Sequence, residues 1–231
     1  MKRVFIFLTV FVLCSSFTIE NDGTPKNTTE VETITVNESP TTDTNQSAIY
    51  KRYLHQITEK PEIINWLSWK EAMELQKEQP KKIMVDLYTE WCVWCERMEK
   101  STFNHPMIAK YINENFYPVK FDAETRETIN FRGRDFNYEH QVERGYNMFS
   151  VYLTRGQLSY PSVVFLDEGI NNPQPIKGFQ NPVVMDKLLH FFGENYYLKY
   201  DWAMFNQYYI SPLQKQWINR QGKKMSKQKK Y

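Results

Sequence analysis

Apolar positions recur at helical spacing early in the chain, at Trp66, Trp69, Ala72, Met73 and Leu75, which predicts a helix over 68–79 that stops before Pro80. The pattern then changes. Residues 82–89 (KIMVDLYT) form a continuous β-rich run, as expected of a strand buried on both faces at the centre of a sheet. Helical spacing returns over 92–103 and again over 106–115, where Pro106 suits a first helical turn. Residues 116–122 (FYPVKFD) and 162–166 (SVVFL) read as further strands, 175–178 as a short edge strand and 183–192 as a helix. The stretch 124–158 is irregular, with a helix expected near 144–155, and the aromatic run 196–209 reads as an added helix after Gly193. Strand–helix–strand followed by strand–strand–helix is an α/β layout: a central mixed sheet flanked by helices, with a parallel crossover from 82–89 to 116–122.

Two segments fall outside this layout. At the start, Lys2 and Arg3 precede an apolar stretch over 4–13 and the small residues Cys14, Ser15 and Ser16, so 1–16 reads as an export signal cleaved after Ser16. A lipoprotein signal with Cys14 lipidated is an alternative, weakened by Leu13, and a buried N-terminal element is another. Residues 17–48 hold six acids against Lys26 and few large apolar groups, so they read as a disordered acidic linker, with glycosylation sequons at Asn27, Asn37 and Asn45. The expected organisation is therefore signal peptide 1–16, linker 17–48, folded domain 49–200, and a C-terminal helix with a basic tail over 201–231.

Composition narrows the class. Of 231 residues 41% are hydrophobic and 24% charged, which excludes a fully disordered chain. No apolar run approaches the ~20 residues of a membrane span, which excludes a multipass membrane protein. The formal charge is +2, and losing Lys2 and Arg3 leaves 27 bases against 27 acids. Residues 215–231 carry seven Lys and Arg and no acid; they read as a solvated end, with anionic lipid or nucleic acid as the other reading. With no aromatic interleaving after Trp217 until Tyr231, no nucleic-acid partner is expected.

Of three cysteines, Cys14 lies in the export segment and Cys92 and Cys95 form a C-x-x-C pair between a strand and a helix. Three chemistries suit such a pair. As a redox dithiol, Cys92 at a helix N-terminus is held as a thiolate by unpaired N–H groups and attacks a disulfide; Cys95, one turn on and shielded, resolves the mixed disulfide. As half of a zinc site the pair lacks partners, because no second C-x-x-C exists and His55, His105, His140 and His190 are scattered; no metal is expected. As a structural staple it closes a loop too short to restrain the unfolded chain much. No G-x-G-x-x-G fingerprint is present, so direct use of NADPH is not expected and no cofactor beyond the Cys92–Cys95 disulfide is implied.

Residues 85–95, Val-Asp-Leu-Tyr-Thr-Glu-Trp-Cys-Val-Trp-Cys, resemble the active-site strand and helix start of the thioredoxin superfamily. Val119-Lys120-Phe121-Asp122 resembles its next strand, Tyr160-Pro161-Ser162 its cis-proline loop, and Gly178 the glycine before its last helix. The W-C-x-W-C-x-x-M pattern from Trp91 to Met98, followed by Asn104-His105-Pro106, is similar to exported proteins of the DsbD C-terminal-domain type. The resemblance covers about 66–193. It implies a thioredoxin-like fold with an insertion before the cis-proline loop. It also implies Cys92 as nucleophile, Cys95 as resolving thiol, Asp86 as a buried proton acceptor for Cys95, and Lys120 as its partner or as an aid to thiolate formation. A salt-bridged strand Asp and a solvent-facing strand Lys are the plainer readings of these two. Pro161 is expected cis, with the Tyr160 backbone facing the thiols, and Trp91, Val93 and Trp94 are expected to form a substrate-contacting surface, with core packing the other reading of Trp91.

The chain departs from the pattern at Trp94, at Glu96 where Lys is frequent, and in the long 124–158 insertion, which is either a wall of the substrate site or ordinary surface. The function implied is an exported, periplasmic or otherwise extracytoplasmic thiol–disulfide oxidoreductase. It would reduce protein disulfides with electrons from a thiol–disulfide donor, such as a membrane reductase, touching the membrane itself only through a lipid on Cys14. A redox-inactive binding module and the oxidase or isomerase direction are the alternatives.

Overall fold

The computed structural model of the chain describes residues 63–228, with side chains to 221. The expected export segment, Cys14, the linker with its sequons, and 49–62 lie outside the described residues, as do 229–231.

Helix α1 (Trp69–Glu78) starts at a reciprocal cap: the Ser68 hydroxyl accepts the Glu71 N–H at 3.2 Å and the Glu71 carboxylate accepts the Ser68 N–H at 3.0 Å. Strand β1 (Lys82–Tyr88) follows, and only Tyr88 escapes full burial. The chain then forms α2 (Val93–Met98), a π-helical turn over Glu99–Phe103, and α3 (Pro106–Asn115), which His105 caps through Nδ1 with Pro106 in the first turn. Strand β2 (Phe116–Asp122) runs parallel to β1, with Asp86 in register with Lys120.

The 124–158 stretch is more regular than its sequence suggests. It contains the hairpins β3 (Ile129–Phe131) with β4 (Arg134–Phe136) and β5 (Tyr138–Glu139) with β6 (Tyr146–Asn147), then α4 (Met148–Leu153). The helix expected near 144–155 is thus confined to 148–153. Asn147, fully buried, accepts the Phe149 N–H to start it and donates to the carbonyls of Thr125 and Glu127. Strand β7 (Ser162–Leu166) pairs antiparallel with β1, and β8 (Gln174–Lys177) with β7, giving the order β2-β1-β7-β8. Helix α5 (Pro182–Gly193) is capped by Asn181.

Alternation along the strands divides the core in two. Ile83, Val85, Leu87, Val119 and Val164 face one side and meet α1, α4 and the insertion. Phe149 lies at the centre of that side, with Trp69, Phe121, Phe131, Phe136 and Tyr152 around it at 4.5–5.7 Å between ring centroids. Met84, Phe116, Val163 and Phe165 face the other side and meet α3, α5 and the π-helical turn. Asp86 and Lys120 belong to this second side by the same alternation.

The C-terminal region differs from expectation. The single helix read over 196–209 is a 3₁₀ turn (Tyr196–Leu198) followed by α6 (Trp202–Tyr208), because Asp201 accepts the Met204 N–H at 2.8 Å and starts a new helix there. The basic stretch read as a solvated end forms α7 (Pro212–Gln228).

Candidate functional site

Cys92 and Cys95 are joined by a disulfide, with Cα atoms 5.2 Å apart. Cys92 is the N-cap of α2, and its Sγ accepts the Cys95 backbone N–H at 3.1 Å. The backbone approach is set by a turn in which the Cys92 N–H donates to the Thr89 carbonyl at 3.2 Å. The sulfur that would carry the negative charge thus sits where helix N–H groups and the dipole favour an anion. The expected contrast in exposure, an open Cys92 and a shielded Cys95, is not seen: the residues are 7% and 8% exposed. Both residues line one open cavity of about 230 Å³.

Asp86 lines the same cavity. Burial pushes its carboxyl up from 3.8 to about 7; the Lys120 ammonium opposes that rise and the Glu99 carboxylate adds to it. One carboxyl oxygen, Oδ1, has no hydrogen-bond partner, and the same holds for the nearby buried Thr89 hydroxyl. Lys120 Nζ is 3.8 Å from Asp86 Oδ2 and pairs closely with Glu99 from the π-helical turn. Its ammonium also lies 5.2 Å from the Trp66 ring centroid and 5.3 Å from that of Tyr88. Lys120 is therefore a half-buried bridge between two carboxyls, neither a free surface lysine nor a simple partner of Asp86. Glu96, the departure beside Cys95, is exposed and bonded to Lys100, which holds its carboxyl below the usual range.

An apolar rim surrounds the disulfide. Trp91, Val93 and Trp94 are all exposed, so Trp91 does not serve as core. The Trp91 ring meets Tyr160 edge-on at 6.0 Å, its Nε1–H donates to Glu124 at 2.9 Å, and the Arg144 guanidinium lies 4.6 Å over it. Trp94 meets Phe179 at 5.7 Å. The Tyr160–Pro161 peptide is cis, and the Pro161 carbonyl accepts the N–H of Gly178, which has φ +79°. The Trp91–Tyr160 contact places the cis-proline loop beside the start of α2. Glu124 and Arg144 make the insertion an edge of this site rather than remote surface.

The structure thus brings Cys92, Cys95, Asp86 and Lys120 to one cavity, and packs Tyr160 against Trp91, the residue before Cys92. Sequence reasoning did not single out Glu99, Thr89, Glu124 or Phe179, and it named Arg144 only within the insertion. Glu99 follows directly on α2 as the first residue of the π-helical turn, and its pairing with Lys120 joins residues 21 positions apart, beyond the reach of local pattern. Among the described residues no group of three or more His, Cys, Asp and Glu side chains gathers as a metal site.

Comparison with known proteins adds to this picture. An uncharacterized protein of Caenorhabditis elegans, B0495.5, is 30% identical over 130 residues, covering 48% of this chain and 17% of its own length. Spermatogenesis-associated protein 20 of Rattus norvegicus is 33% identical over 78 residues, 33% of this chain and 10% of its own. Thiol:disulfide interchange protein DsbD of Vibrio vulnificus is 36% identical over 44 residues, 19% of this chain and 7% of its own. The chain spans less than a fifth of the length of these curated relatives. A thioredoxin from Thermus thermophilus superposes with a TM-score of 0.40 at 17% identity, over 55% of this chain and 85% of that one. The family model Thioredox_DsbH, described as "Protein of unknown function, DUF255", matches residues 44–179. That match takes in more than half of the chain, both site cysteines and the cis-proline loop, and the chain belongs to this thioredoxin-like family.

Proposed function

We propose that this chain is an exported thiol–disulfide oxidoreductase that reduces protein disulfides. The observation that carries the reading is the Cys92–Cys95 disulfide at a helix start, in one cavity with a buried carboxyl whose proton affinity is raised to about 7. In the reduced protein the Cys92 thiolate attacks one sulfur of a substrate disulfide. That bond breaks, the leaving substrate thiolate takes a proton, and a mixed disulfide forms. Asp86 accepts the Cys95 proton, and the Cys95 thiolate attacks Cys92 Sγ. The second substrate thiolate leaves, and the two electrons of the dithiol have passed to the substrate, leaving the bonded pair found here. Lys120 and Glu99 set the charge beside Asp86. Trp91, Val93 and Trp94 supply apolar contact, and the backbone at Tyr160–Pro161 pairs with an extended substrate strand. A thiol–disulfide donor, of the kind a membrane reductase presents, regenerates the dithiol.

The test is catalysed insulin reduction with dithiothreitol. Wild-type protein accelerates precipitation and Cys92→Ala does not. Inactive wild type, or full activity from Cys92→Ala, overturns the proposal. A second reading, a redox-inactive binding module stapled by its cysteines, is favoured by the burial of both residues below a tenth exposed. The equilibrium of the pair with glutathione separates the two, because a staple resists reduction under conditions in which a working dithiol exchanges. The same measurement fixes the reductase or oxidase direction.

A further inference from the structure

Twelve large apolar residues are exposed among the described residues, and they are unevenly distributed. Three ring the disulfide. Seven lie between positions 198 and 218: Leu198, Tyr200, Met204, Tyr208, Ile210, Trp217 and Ile218. The same region is the most basic in the chain, since 215–231 carries seven Lys and Arg and no acid.

Helix α7 shows why the last two of these side chains stay uncovered. Its first turn is fixed to the body: the Leu213 N–H donates to the buried Asp186 carboxylate at 2.9 Å, the Gln214 N–H to the Ser211 hydroxyl at 3.3 Å, and the Leu213 side chain is buried. From 215 to 221 every residue is exposed, Trp217 at 59% and Ile218 at 45%. After its first turn the helix is exposed as far as 221, carrying Trp217, Ile218, Lys215 and Arg220, and the sequence beyond adds five Lys and no acid. No described helix is long and apolar enough to cross a membrane.

We infer that α7 and the segment leading into it dock on the surface of an anionic phospholipid bilayer. A basic helix with Trp and Ile exposed suits the headgroup boundary, where cations meet lipid phosphates and an indole sits with its ring in the acyl region and its N–H toward water. Two other occupants fit less well. A second copy would bring seven cations against seven. A nucleic acid would satisfy the cations but leave the aliphatic Met204, Ile210 and Ile218 without a role, because bases stack on aromatic and not on aliphatic side chains. The inference is independent of the chemistry at Cys92, since binding is read without turnover.

The experiment is co-sedimentation of the full chain with vesicles of phosphatidylcholine alone and with about 30% phosphatidylglycerol added. Tight binding to the anionic vesicles is expected, weakened at least about tenfold on neutral vesicles and weakened as salt rises. Trp217→Ser with Ile218→Ser, and separately Lys223→Glu with Lys224→Glu and Lys227→Glu, should each lower binding to anionic vesicles at least about tenfold, with circular dichroism unchanged. The variants control for the apolar stretch at 4–13, which they leave intact. Brominated acyl chains should quench wild-type tryptophan fluorescence more than that of Trp217→Phe. Equal binding to neutral and anionic vesicles, or binding unaffected by both sets of substitutions, overturns the inference. Concentration-dependent self-association, or binding to single-stranded DNA in place of vesicles, overturns it in favour of the other occupant.

Discussion

Asp86→Asn gives a direct measure of the energy held in the cavity beside the cysteines. The amide keeps the shape of the side chain and removes the titration. Burial raises the folded carboxyl from 3.8 to about 7. Between these values the folded protein keeps a proton that the unfolded chain has released, so rising pH favours unfolding across that window. Below about pH 4 both states are protonated and the wild-type carboxyl carries no penalty; above about pH 7 both are ionised and the penalty is complete. The span corresponds to about 4 kcal/mol at about 1.4 kcal/mol per pH unit. Asp86 is only 3% exposed, and the Lys120 ammonium 3.8 Å away opposes the burial effect without cancelling it. Urea unfolding of the oxidised protein at about pH 4 and about pH 8 checks it. Relative to wild type, Asp86→Asn should gain about 4 kcal/mol more at the higher pH than at the lower. A difference between the two proteins that is the same at both pH values, within about 0.5 kcal/mol, would refute the reasoning and mean that Lys120 holds Asp86 charged throughout.

Cys95→Ser should accumulate a mixed disulfide between Cys92 and a substrate thiol, seen as a mass adduct that dithiothreitol removes; no adduct would mean that Cys92 does not attack first. Phe149→Ala should cost about 3–5 kcal/mol in urea unfolding, because Phe149 is fully buried among five aromatic rings, and a loss under about 1 kcal/mol would show the insertion to be loosely attached. Gly178→Ala should cost about 1–2 kcal/mol by the same measurement: nothing lies within 4 Å of an added Cβ, so the whole effect is the price of holding φ at +79°, and no loss would show that the turn relaxes.

The parts of the fold legible in the sequence are those where local pattern and burial agree. The segments 82–88, 116–122 and 162–166 are apolar on both faces, as strands covered by helices on both sides must be. Pro106 and Pro182 mark the starts of α3 and α5 because a missing N–H costs nothing there. The insertion was not legible. Its strands are two or three residues long, too short for alternation to register, and the buried Asn147 that ties them down is polar. At the C-terminus the cationic character of 215–231 masked a start signal, Ser211–Pro212, in front of the helix formers Lys, Gln and Arg. The cysteine pair, Asp86 and Tyr160–Pro161 were legible as a motif. The contacts of Arg144 and Glu124 with Trp91 were not, since they join residues 53 and 33 positions apart.

The site is also where the chain breaks rules it keeps elsewhere. Strand β1 is buried throughout from Ile83 to Leu87 and apolar except at Asp86, whose carboxyl lines the cavity that the cysteines line. Two of the side-chain atoms left buried without a hydrogen bond, Asp86 Oδ1 and Thr89 Oγ1, line the cysteine cavity. Glu99, which reaches Lys120, is the first residue of a π-helical turn in which the ordinary i to i−4 ladder gives way. Each departure destabilises the fold locally, and all three converge on one volume of about 230 Å³. Local consistency is abandoned here around a buried carboxyl whose proton affinity is raised to about 7, in the cavity that both cysteines line.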